Sequence, residues 1–125
     1  MQGKLSPCPD SPNCVSTRGG AGRKHWPPLG FTATMEEARR AVKEIILAIP
    51  RTRIVIDEPN YLRAEFASRL FGFVDDVEFA FDEVERRIDF RSASRVGYYD
   101  FGANRRRMKR ICRRLQEKPQ IQTTH

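Results

Sequence analysis

The chain has 125 residues, with 23 Lys+Arg against 16 Asp+Glu and a net charge of +7. That length is one domain with core enough to fold unaided, and too short for a barrel enzyme or a full dinucleotide-binding fold. No apolar run approaches the ~20 residues that cross a bilayer, and Met1–Leu5 shows no secretory h-region, so the expectation is a cytoplasmic chain with no membrane span.

The charge is concentrated. Between Phe101 and Lys118 there are eight basic residues and one acid, Glu117, leaving 15 basic and 15 acidic groups elsewhere. The whole excess therefore sits in one C-terminal segment.

Residues 1–33 hold five prolines and five glycines and no periodic apolar pattern, which predicts an irregular wrap. Leu5, Val15, Trp26, Leu29 and Phe31 can pin it to a core. Thr34 and Glu37 form a capping box, and Ala38, Ala41, Val42, Ile45 and Ile49 repeat at helical spacing, so a helix is expected over 34–49, ended by Pro50.

The period then changes to two. Arg53–Asp57, Tyr61–Ser68, Val74–Asp82 and Arg87–Arg95 read as strands joined by short connections, giving an antiparallel sheet over 53–95. The Asp82–Arg86 connection lacks the glycine a tight hairpin favours. Met108, Ile111, Cys112 and Leu115 lie at i, i+3, i+4 and i+7, so an amphipathic helix over 103–117 carries the basic residues. Pro119 stops it, and 119–125 reads as a loose tail. The expected fold is α+β: one domain over 1–118, a four-stranded antiparallel meander, two helices packed on one face and the other face wet.

Arg105, Arg106 and Arg107 fall in the first turn of the last helix, where cations oppose the helix dipole by up to ~1 kcal/mol each. Asp100, Asp75 or Asp76 would compensate them, or a bound anion would. Asp75 and Asp76 also suggest acid/base or metal work, but adjacent strand residues point to opposite faces. Glu78 and Asp82 share a face with Asp76, and on a wet face such a ladder is solvated surface. Ser92 and Ser94 sit on the core face beside Ile88 and Phe90, and either would need a neighbouring base to act as a nucleophile. His25 and His125 offer none.

Cys8 and Cys14 lie six apart in a proline-rich loop. They form a disulfide in an oxidising compartment or a thiol pair in a reducing one, and no metal set can be assembled around them. Cys112 lies on the apolar stripe of its helix. Gly19–Lys24 lacks phosphate-loop spacing. Basic residues Arg106, Lys109, Arg110 and Arg113 could meet nucleic acid, but no recognition motif accompanies them.

Three stretches together resemble the domain-of-unknown-function family 1499. They are Leu5-x-Pro-Cys-Pro-x-Ser-Pro-Asn-Cys-Val-Ser16, Phe71-Gly-Phe-Val-Asp-Asp-Val-Glu-Phe79, and Arg91-Ser-Ala-Ser-Arg-Val-Gly-Tyr98 with Asp100-x-Gly102 and Asn104-Arg-x-Arg107. The resemblance implies a polar signature clustered at loops and strand ends, and it carries no activity. The excess of arginine at the start of the last helix, not the resemblance, gives the leading expectation, a non-catalytic binding module. It would hold an anionic small molecule or an acidic protein segment through Ser94, Arg95, Asn104, Arg105 and Arg107, with no cofactor or metal. Two alternatives stand beside it: a small hydrolase using Asp75 or Asp76, and a signature that only locks the N-terminal wrap onto the sheet.

Overall fold

The structure is a computed structural model and describes residues 5–8, 13–18, 26–69, 72–97 and 102–122. Expectations that rest on Gly19–Lys24, His25, Asp100 and His125 lie outside those residues.

The chain order is β1 (Cys14–Ser16), β2 (Leu29–Phe31), α1 (Met35–Leu47), β3 (Thr52–Glu58), β4 (Tyr61–Ala67), β5 (Val74–Asp82), β6 (Arg87–Ser94), α2 (Ala103–Gln116) and β7 (Ile121–Gln122). The fold is α+β with an antiparallel sheet and two helices. The meander β3-β4-β5-β6 forms as expected, but the sheet does not stop at four strands. Among the described residues six strands follow the order β3-β4-β5-β6-β2-β7, and β1 also pairs with β6.

The extra strands come from the segments expected to be irregular. β1 takes one half of the β6 edge, with Val15 opposite Ser92, and β2 takes the other half, with Leu29 opposite Ile88. Three-residue strands carry too little pattern to show as period two, so only the edge they complete defines them. Past Pro119, where a loose tail was expected, Ile121 and Gln122 pair with Phe31 and Gly30. Buried Ile121 supplies the reason.

α1 begins with the expected box. The Glu37 N–H donates to Thr34 Oγ1 at 3.1 Å, and the Thr34 N–H donates to Glu37 Oε1 at 3.1 Å. Its buried face is Ala38, Ala41, Val42 and Ile46, with Ile45 only partly covered. The β5–β6 turn manages without glycine. Arg86 takes the left-handed conformation at φ 57°, and Asp82 Oδ1 accepts the N–H groups of Val84 and Glu85, both at 3.0 Å.

Val77, Phe79 and Phe81 of β5, Ile88 and Phe90 of β6, and Leu62, Ala64 and Phe66 of β4 share one core with Met108, Ile111 and Leu115 of α2. The strand period puts all of these sheet residues on one face. The far face departs from expectation. Glu78 is 0% exposed, Asp89 3% and Asp76 8%, so this is not a solvated carboxylate ladder. The N-terminal segment lies against it, with Ser6 bonded to Glu78 and Thr17 to Asp89.

Candidate functional site

Adjacent residues of β5 feed two separate polar networks. The register sets this: Asp75 lies opposite Ser94 on the helix side, while Asp76 lies opposite Ala93 and beside Glu65 on the far side.

On the helix side the centre is Asn104, fully buried in the first turn of α2. Its Oδ1 accepts from Ser92 Oγ at 2.6 Å and from Arg107 Nη1 at 2.8 Å. Its Nδ2 donates to the Asn13 carbonyl at 3.1 Å and to Ser94 Oγ at 2.9 Å. One amide thus ties β6, α2 and the N-terminal loop, and all its bonding capacity is used. Asn13 extends the tie, donating from Nδ2 to the Gly97 carbonyl at 2.6 Å and accepting from the Ser94 N–H at 3.0 Å. Arg107 closes the group. Its Nη2 meets Asp75 Oδ2 at 2.8 Å, and the guanidinium lies 4.9 Å over the Phe66 ring.

α2 itself starts on Gly102, in the left-handed conformation at φ 79° and with no side-chain cap. No acid occupies its first turn. Asp75 offsets one of the three arginines there. Arg105 instead stacks 5.3 Å over the Trp26 ring.

On the far side, Arg95 Nη2 meets Asp76 Oδ1 at 2.6 Å and Glu65 Oε2 at 3.0 Å. Burial works to raise the Asp76 carboxyl. The Arg95 hydrogen bonds and the charges of Arg63 and Arg95 outweigh it and hold the carboxyl below its ordinary range. Next along the face, Glu78 Oε2 accepts from Arg91 Nη1 at 2.8 Å, and Oε1 accepts from the Tyr61 hydroxyl at 2.8 Å. Burial, then the Glu78 bond, push the Tyr61 hydroxyl well above its usual value. Asp89 accepts from Thr17 and Arg87 and also pairs with Arg18, and its carboxyl too is held low against the effect of burial.

The expected site residues therefore divide. Ser94, Asn104 and Arg107 come together, with Asp75, on the helix side. Arg95 lies on the opposite face, and Arg105 points to Trp26. Cys8 and Cys14, left open as bridge or thiol pair, are joined by a disulfide. Glu78, Tyr61 and Arg91 were missed as a bonded group, and Asp89 as the partner of Thr17 and Arg87. A usable signal existed: counting back from the β5–β6 turn places Arg91 opposite Glu78 and Arg87 opposite Asp82.

Among the described residues no group of three His, Cys, Asp or Glu side chains is placed to hold a metal ion. A cavity of about 430 Å³ lies against α1, lined by Glu37, Arg40, Ala41, Lys43, Glu44 and Gln120, and shares no residue with either network. No described helix is long and apolar enough to cross a membrane.

No curated protein matches the chain. A family model does, over residues 4–115, a span that contains both networks. The chain belongs to the family described as Protein of unknown function (DUF1499).

Proposed function

We propose that this domain is a non-catalytic binding module that engages an acidic protein segment along the outward face of α2. The observation that carries the reading is the state of the cations there. Arg105, Arg106, Lys109, Arg110, Arg113 and Arg114 are all exposed, and no acid lies within the helix. Lys109, Arg110, Arg113 and Arg114 make no ion pair among the described residues, whereas Asp75, Asp76, Glu78 and Asp89 are each matched to arginine. The site moves outward from the expected set, because Ser94, Asn104 and Arg107 bond to one another and Arg95 to Asp76 and Glu65.

The hydrolase reading finds no support in Asp75 or Asp76. Each is neutralised by arginine, and the two face opposite sides of the sheet. The Cys8–Cys14 bridge favours an oxidising compartment over the cytoplasm.

The test is anisotropy with fluorescent polyglutamate and with a single-stranded oligonucleotide of matched charge. Polyglutamate should bind at low salt and release at high salt. Arg110→Gln with Arg113→Gln should weaken binding several-fold and leave the urea midpoint nearly unchanged, since neither side chain makes an ion pair among the described residues. Absence of polyglutamate binding at low salt overturns the proposal, and markedly tighter oligonucleotide binding replaces the acidic protein with nucleic acid.

A further inference from the structure

The far face of the sheet has a buried ionic centre under a short strap. Glu78 Oε1 accepts from the Ser6 N–H at 3.1 Å, from Ser6 Oγ at 3.4 Å and from the Tyr61 hydroxyl at 2.8 Å, while Arg91 holds Oε2. Residues 5–8 belong to no helix or strand. Among the described residues, the hydrogen bonds that hold them to the sheet are the two from Ser6. Their other anchor is covalent, the disulfide from Cys8 to Cys14 at the first position of β1.

The two anchors differ in kind. Ser6 bonds a charged acceptor, but water can take over both of those bonds once it reaches Glu78. The disulfide joins residues six apart and limits how far Cys8 can move from β1. β1 is itself fixed, through its pairing with β6 and the Asn13–Ser94 and Asn13–Gly97 bonds.

We propose that the Cys8–Cys14 disulfide is a redox latch: intact, it keeps Ser6 on Glu78, and reduced, it frees the strap and uncovers the Glu78–Tyr61–Arg91 centre.

The reductant is a dithiol. Cys8 is partly exposed and Cys14 fully buried, so the attacking thiolate reaches Cys8 Sγ. The S–S bond breaks, its electron pair leaves on Cys14 Sγ, and that sulfur takes a proton. A mixed disulfide remains at Cys8. The second thiolate of the reductant attacks its own sulfur in that bond, and Cys8 leaves as a thiolate that is then protonated. The protein gains two electrons and two protons, and the dithiol becomes a disulfide. Cys112 does not compete, since burial pushes its thiol up to about 12 and it stays protonated.

The experiment uses the full chain, oxidised and dithiothreitol-reduced, with carbodiimide coupling of Glu78 and nitration of Tyr61 read peptide by peptide in a mass spectrometer. Both labels should rise several-fold on reduction while the near-UV signal of Trp26 persists. Cys8→Ser should show the raised labelling without reductant. Ser6→Pro, which removes both donors, should raise it with the disulfide intact. Three titratable thiols with unchanged labelling would overturn the latch. Loss of the Trp26 signal on reduction would overturn it too, because the bridge would then hold the fold and not the strap.

Discussion

Asp75 and Asp76 are neighbours in β5, yet each is neutralised by a different arginine on a different face of the sheet: Arg107 at 2.8 Å from Asp75, and Arg95 at 2.6 Å from Asp76. The two pairs are not equivalent. The two aspartates are similarly covered, at 14% and 11% exposed, but Arg107 is 16% exposed and Arg95 45%, and Asp76 also pairs with Arg63 at 3.4 Å. Low exposure makes a broken pair costly, because the surviving charge stays buried. Asp75→Asn should therefore lower stability by about 3 kcal/mol, and Asp76→Asn by less. Double-mutant cycles in urea, Asp75 with Arg107 and Asp76 with Arg95, should give the larger coupling for the first pair.

Asn104 is the second sensitive point. Replacing it with Leu removes four hydrogen bonds and leaves the Asn13 carbonyl, two serine hydroxyls and one arginine N–H to find new partners. Each buried polar group left unpaired costs about 1–3 kcal/mol. Asn104→Leu should cost at least about 3 kcal/mol in urea unfolding. Asn104→Asp should also destabilise, since a carboxylate cannot donate to Asn13 or Ser94. A variant at position 104 within experimental error of the wild type would show that the network does not hold the N-terminal loop.

The Glu78–Arg91 pair tests whether buried charge stabilises the far face or merely balances itself. Glu78→Gln leaves Arg91 without its counter-charge and should cost about 3 kcal/mol. Glu78→Met with Arg91→Met should cost clearly less than the two single changes together. Thermal melts of the three variants decide it.

Acid should weaken the fold in a defined window. Asp76 and Asp89 both sit below the ordinary 3.8 in the folded chain and return to it on unfolding. The unfolded chain therefore binds more protons at acid pH. The stability these carboxyls contribute is fully present above about pH 5. It is lost as pH falls through 3.8 and past the folded values. Urea midpoints taken from pH 7 to pH 3 should be flat at first and then fall. Asp76→Asn should flatten the fall.

The elements that repeat were legible in the sequence. The Thr34–Glu37 box, the Met108–Leu115 stripe and the alternation of Val77, Phe79 and Phe81 each carry several residues in phase with one period, and each forms where that period puts it. β1, β2 and β7 were not legible, because two or three residues cannot display a period and their strand state depends on a distant partner. The opposed aspartates followed from strand geometry alone. The buried state of Glu78 did not, since alternation says which residues share a face and nothing about what covers it. Asn104 is the sharpest case. An Asn in a first helical turn is ordinary, and only the approach of Asn13, Ser92 and Ser94 makes it a hub.

The short last strand also redraws where this domain stops. The family match ends at residue 115, one position before α2 does. The sheet closes six residues further on, where Ile121 pairs with Phe31 and enters the core. A chain trimmed to the matched segment would leave β2 as a bare edge, open to any strand that passes. Recombinant versions cut there should self-associate, and a fusion partner or affinity label belongs beyond Gln122.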